Sequence, residues 1–188
     1  MNAAKVLAVT VLAGSVSIGL ALFGEHWLDV GDNANEPSRR SPQQGMLDSL
    51  PDLRLSTLDG RQMSSSTWAG KVLVLNFWAT WCPPCLREIP LLDEWQQTYA
   101  NQGLQVVGIA IDRGAEVAAF LEDNPVSYPI LIGTRDSVDL SRDLGNRTGG
   151  LPFTVGFDPL GRRIFSHTGE VDVDLLETEV RPRLLSAD

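Results

Sequence analysis

Only two of the 188 residues are cysteine and only two are histidine. Two thiols cannot build a disulfide-dense scaffold or a four-thiolate zinc site, although they suffice for one disulfide. The histidines, His26 and His167, are too few for a histidine metal centre, so no metal site is expected. Basic residues are also scarce, with 15 Lys+Arg against 24 Asp+Glu and a net charge of −9. Such a chain lacks the dense positive surface that phosphate neutralisation requires, so no nucleic-acid partner is expected. What remains is 43% apolar and 21% charged. That composition buries a core of ordinary size, and the length fits one globular domain.

Acidic residues are missing altogether from residues 1–24, where Lys5 is the sole base. The run Val6 to Phe23 is uncharged and mostly apolar. As a helix its 18 residues would span about 27 Å, close to the hydrocarbon thickness of a bilayer. Lys5 precedes it and Glu25, Asp29 and Asp32 follow, a charge bias that places the rest of the chain outside the cytoplasm. Residues 1–28 are therefore expected to be a membrane anchor or signal segment. Gly19-Leu20-Ala21 is a weak cleavage site, which favours a retained anchor in the inner or cytoplasmic membrane. Residues 29–50, rich in Asp, Asn, Pro, Ser, Arg and Gln, read as a flexible linker to a domain over 51–188.

Within that domain, Leu53 to Leu58 and Arg61 to Met63 flank Asp59-Gly60 as a small hairpin. Val72 to Phe77 and Gln105 to Ile111 are apolar almost throughout, the pattern of strands covered on both faces. Helical patterns run from Pro83 to about Asn101, Glu116 to Glu122, Val138 to Leu144 and Val173 to Leu185, with a short strand at Ile130 to Ile132. Phe153 to Phe157 and Arg162 to His167 form a second hairpin across Asp158-Pro159-Leu160-Gly161. Strands alternating with helices and closing on a hairpin predict an α/β fold with a mixed central sheet flanked by helices.

The chemistry is concentrated in Trp81-Cys82-Pro83-Pro84-Cys85, at the junction of the strongest strand and the strongest helix. Cysteines three apart on a first helical turn can close a disulfide, with the first facing solvent at the helix N-terminus. The helix dipole and free N–H groups there favour the thiolate, which is the attacking species. Pro83 suits the first helical position, where no N–H is needed. The plain alternative is a structural disulfide or an inert thiol pair, and the position directly after a buried strand argues against it.

The run from Leu75 to Pro90, Leu-Asn-Phe-Trp-Ala-Thr-Trp-Cys-Pro-Pro-Cys-Leu-Arg-Glu-Ile-Pro, resembles the active-site signature of the TlpA/ResA-like branch of the thioredoxin superfamily. Gly150-Leu151-Pro152-Phe153-Thr154 is similar to that family's cis-proline loop, and Arg113 to Gly133 to its helix-strand insertion. The resemblance covers the chain from Pro51 onward. It implies a thioredoxin-like fold and an extracytoplasmic thiol-disulfide oxidoreductase, with Cys82 attacking and Cys85 resolving. It also implies a cis bond before Pro152, a loop facing the disulfide, and substrate contacts from Trp81, Pro83, Leu151 and Pro152. Pattern alone would make Pro152 a trans proline opening a strand.

Two positions depart from thioredoxin itself. Asn76 stands where thioredoxin has a buried Asp, so the resemblance passes the acid–base role to Glu88, three residues after Cys85. Pattern alone reads Glu88 as a solvated helix residue, whereas the family match, with Ile89, Leu91, Leu92 and Trp95 nearby, implies a buried carboxyl with a raised pKa. The Pro83-Pro84 dipeptide removes a backbone donor that Gly would offer, leaving the Cys82 thiolate less stabilised than in strong oxidants and pointing to a reductant. No bound cofactor is needed. The expected partners are protein thiols and disulfides and a membrane thiol-electron donor, with the chain acting as a monomer and cytochrome c biogenesis among the settings. Two rivals use the same cysteines: a peroxiredoxin-like thiol peroxidase, whose Pro-x-x-x-Thr/Ser-x-x-Cys loop is missing here, and a Cu(I) metallochaperone.

Overall fold

The computed structural model describes residues 47–184. The expected anchor at 1–28 lies outside them, and among the described residues no helix is long and apolar enough to cross a membrane. Among the described residues seven strands form one mixed sheet in the order β2-β1-β5-β4-β3-β6-β7. Their ranges are Arg54–Thr57 (β1), Gln62–Ser64 (β2), Val72–Trp78 (β3), Leu104–Ala110 (β4), Ile130–Ile132 (β5), Phe153–Phe157 (β6) and Arg163–Thr168 (β7). The helices are Pro83–Tyr99 (α1), Gly114–Asp123 (α2), Arg135–Asp143 (α3) and Val173–Glu179 (α4). β3, β4 and β5 run parallel, while β6 runs antiparallel to β3.

The central strands are apolar on both faces because both faces are covered, and every residue of β3 and β4 is buried. Side chains alternate across a strand. Val72, Val74 and Trp78 pack in one cluster with Ile89, Leu92 and Trp95 of α1 and Leu176 of α4. Leu73, Leu75 and Phe77 pack on the opposite face with Leu53, Trp68 and Leu144. Burial of each such Leu, Ile or Phe contributes about 1.5–3 kcal/mol. Asn76 has the same parity as Val74 and Trp78, so the one polar side chain of β3 is aimed at α1.

α1 buries Cys85, Glu88, Ile89, Leu92 and Trp95, spaced three to four apart. Its N-cap is Cys82, with proline in the first turn as expected. Ala100–Gln102 tighten into a 3-10 turn, and Gly103 ends it at φ 89°, a left-handed conformation that suits glycine.

Two expected boundaries shift the most. The last helix ends at Glu179 rather than running on towards Leu185, and Arg181–Arg183 form a 3-10 turn. Pro182 supplies no N–H and disfavours helical backbone at the residue before it. The domain also begins ahead of residue 51. Leu50 N–H donates to the Gly161 carbonyl at 2.8 Å, Arg163 N–H donates to the Asp48 carbonyl at 2.8 Å, and Ser49 bridges Arg162. Polar composition suggested a linker there, but backbone pairing to the second hairpin, with an Arg163–Asp48 ion pair at 2.7 Å beside it, holds these residues.

Candidate active site

The parallel direction of β3 delivers its C-terminal end to the start of α1, and the intervening turn carries the reactive pair. Cys82 and Cys85 are joined as a disulfide with Cα atoms 5.3 Å apart. Cys85 is fully buried and Cys82 is 4% exposed. The expectation that Cys82 faces solvent therefore does not hold for the disulfide form, because its sulfur is bonded to the buried Cys85. Trp81, by contrast, is 66% exposed, a large apolar side chain left in water beside the pair. Pro83 is exposed next to it.

The turn is anchored from β4. Asp112 Oδ2 accepts from the Thr80 N–H at 3.0 Å and from the Thr80 hydroxyl at 2.5 Å, and its Oδ1 accepts from the Arg113 N–H. Burial alone would raise the Asp112 carboxyl, but these donors hold it below the ordinary carboxylate value. Thr80 immediately precedes Trp81, so this carboxylate positions the segment that leads into Cys82.

Glu88 lies one helical step beyond Cys85 on the core face of α1, and it is 1% exposed. Its Oε1 accepts from Asn76 Nδ2 at 2.6 Å and its Oε2 from the Val171 N–H at 2.7 Å. Burial raises its pKa from 4.5 to about 7, against those two donors, and the neighbouring Glu170 carboxylate adds to the rise. A buried acid that titrates near neutrality can take or give a proton under working conditions. Pattern alone had left Glu88 in solvent; the helical register of α1 carries it inward.

β6 starts at the end of the sheet where β3 stops, since Phe153 pairs with Phe77. That register brings the residues before Phe153 to the cysteines. The Leu151–Pro152 bond is cis, and Leu151 packs against the cluster that contains Cys82 and Cys85. The loop is held from two sides. Asn146 Nδ2 donates to the Gly150 carbonyl at 2.9 Å, and the Gly169 N–H donates to the Pro152 carbonyl at 2.9 Å. Gly169 does so at φ 114°, where a side chain would be strained. Its neighbour Glu170 pairs with Arg87 of α1 at 2.7 Å, and Val171 holds Glu88. One three-residue segment thus grips both the proline loop and the cysteine helix.

The sequence reading missed Asp112, Asn146 and the segment Gly169-Glu170-Val171. Asp112 had a signal, a carboxylate directly after an apolar strand. Gly169 and Val171 act through backbone N–H groups, and Asn146 and Glu170 through side chains that only the folded loop brings to their partners.

A strand-to-helix dithiol facing a cis-proline loop on a mixed sheet defines a thioredoxin-like protein. The comparisons with known proteins agree, and the chain belongs to the Redoxin family, whose model matches residues 46–179. Within the thioredoxin superfamily it is a ResA/TlpA-like member. It is 37% identical over 113 residues to the thiol-disulfide oxidoreductase ResA of Geobacillus thermodenitrificans, covering 60% of this chain and 63% of that one. The match to the thioredoxin-like protein YneN of Bacillus subtilis is 41% over 86 residues, 44% of this chain and 50% of the relative. The chain thus spans less than two thirds of the length of these relatives. Among solved structures, a protein of Chlorobium tepidum described as a putative thiol:disulfide interchange protein DsbE superposes with a TM-score of 0.65 at 27% identity. That match covers 72% of this chain and 95% of the other.

Proposed function

We propose that the protein is an extracytoplasmic thiol-disulfide oxidoreductase that reduces protein disulfides. The observation that carries this reading is the Cys82–Cys85 disulfide at the N-terminus of α1, with the cis-proline loop at one side and a buried, near-neutral carboxyl one helical step behind it. The named activities of the relatives support it.

In the reduced form the Cys82 thiolate attacks one sulfur of a substrate disulfide. The other substrate sulfur leaves as a thiolate and takes a proton, and a mixed disulfide joins Cys82 to the substrate. Cys85 then gives its proton to Glu88, and its thiolate attacks the Cys82 sulfur. The second substrate thiol is released, and the two electrons gained by the substrate are those lost when Cys82–Cys85 closes. Trp81 and Leu151 offer the apolar surface on which a substrate segment rests. The charge pattern of the first 32 residues supports a membrane anchor with the domain outside the cytoplasm, where a membrane thiol donor must restore the dithiol.

The test is a trapping experiment with the full chain. Cys85→Ser should accumulate a mixed disulfide through Cys82 with a disulfide-bonded protein, and Cys82→Ser should not. Trapping through Cys85 instead would reverse the roles. Equilibration in thiol redox buffers should place the pair nearer thioredoxin's potential, about −270 mV, than that of the strong oxidant DsbA, about −120 mV. A value near the latter would refute the reducing direction.

A further inference from the structure

Asn76 is fully buried, yet its Oδ1 has no hydrogen-bond partner. Buried acceptors are rarely left unpaired. Both partners of this side chain sit at its nitrogen end: Nδ2 donates to Glu88 Oε1 at 2.6 Å and to Thr154 Oγ1 at 3.0 Å. Thr154 pairs directly with Asn76 across β3 and β6 and is also fully buried.

This arrangement suits a carboxylate and fails for the neutral acid. Each Glu88 oxygen faces a donor, but the Val171 N–H is fixed in the backbone whereas the Asn76 amide can turn, so the added proton is best accommodated on Oε1. There it would meet the Asn76 N–H groups, donor against donor. A half-turn of the amide about its last side-chain bond removes the conflict. Oδ1 then accepts from the Glu88 O–H, and the Thr154 hydroxyl, which can donate as well as accept, reverses with it. A donor fixed on Oδ1 would lock the amide in one orientation, and that donor is missing.

We propose that Asn76 is a positioning residue whose amide turns over when Glu88 gains or loses its proton, with Thr154 reversing its hydroxyl in step. The pair then holds Glu88 in both charge states. An aspartate at position 76 could not do this, because it lacks the N–H that the Glu88 carboxylate requires. This deepens the function proposed above, in which the proton on Glu88 comes from Cys85. The other charged or titratable groups facing Glu88 are Glu170, paired with Arg87, and Tyr128 on the segment ahead of β5. Neither turns with the amide.

The test is side-chain NMR on the oxidised full chain, in which the cysteines do not titrate. Contacts between the Asn76 side-chain N–H protons and the Thr154 side chain are followed from pH 5 to 9, together with the Glu88 carboxyl carbon. His167, whose ring meets the Glu170 carbonyl, is followed alongside. The contacts should be present above the Glu88 midpoint and lost below it. Glu88→Gln provides a locked form: its carbonyl must face the Val171 N–H, so its own N–H groups face Asn76 and demand Oδ1 there. In that variant the contacts should be lost at every pH. Contacts that persist on both sides of the midpoint, contacts retained in Glu88→Gln, or a Glu88 that does not titrate in this range would each overturn the proposal. No substrate or thiol chemistry enters the measurement, so its failure and that of the trapping experiment are separate results.

Discussion

Replacing Glu88 by Gln changes how stability depends on pH, and the size of the change follows from the burial of the carboxyl. A group whose pKa rises from 4.5 unfolded to about 7 folded binds its proton more tightly in the native state. The unfolded chain releases the proton first as pH rises, so Glu88 destabilises the fold progressively between these two values. The full cost, reached above about pH 8, is about 3 kcal/mol relative to pH 4, at 1.36 kcal/mol per pH unit of separation. At 1% exposure, solvent screening removes little of it. Glutamine cannot ionise and escapes the penalty. Urea unfolding of the oxidised proteins at steps from pH 4 to 8.5 measures it. The stability of Glu88→Gln minus that of the parent should rise by about 2–3 kcal/mol across the series, with most of the change between pH 5 and 7. Asp112 and Asp158, whose pKa values are lowered in the fold, titrate in both proteins and cancel from the difference. A difference that stays flat with pH would mean that Glu88 is solvated or titrates at its ordinary value, and the acid–base role assigned to it would fall.

Asp112→Asn should cost about 1–2 kcal/mol at pH 7, since hydrogen bonds to a charged acceptor are lost at the Thr80 turn. The Asp112 pKa is depressed in the fold, so this cost should vanish as pH falls through the folded value and the parent loses the same carboxylate; a cost constant down to pH 2 would refute the assignment. Asn146→Ala should destabilise by about 1–3 kcal/mol and speed hydrogen exchange in residues 147–150, because the Gly150 carbonyl loses a buried donor. Unchanged exchange would show that the loop is held by Gly169 alone. Trp81→Ala should alter stability by less than about 0.5 kcal/mol, as the ring is 66% exposed. It should slow reduction of a protein disulfide while leaving a small-molecule disulfide unaffected, and equal slowing of both would remove Trp81 from the docking surface.

The elements of the domain were legible wherever one rule of periodicity dominated. The continuous apolar runs of β3 and β4 could only be strands covered on both faces, and Cys82 at the start of a long amphipathic pattern could only be a helix N-terminus. The final helix was overextended because its apolar spacing continues past Glu179, whereas the backbone demand of Pro182 overrides that spacing. Residues 48–50 were taken for linker because their composition is polar. Their pairing is made mainly by backbone groups, which composition does not register, and by an ion pair of Asp48 with the distant Arg163. At the site, the helical register that buries Cys85 necessarily buries Glu88, so its burial was open to deduction. The contact of Asn76 with Thr154 was not, because it depends on β3 and β6 being neighbours in antiparallel register at a sequence separation of 78.

The seating of residues 48–50 against Gly161 to Arg163 has a mechanical consequence. Phe157 pairs with Leu73, so the turn that follows it lies at the beginning of β3, while the cysteines follow its end. A seven-residue strand is about 20 Å long, and it separates the two. Ser49 and Leu50 therefore lie at the end of the sheet remote from the cysteines. A pull on Ser49 and Leu50 would thus act first on the β6–β7 turn, a strand's length away from the disulfide.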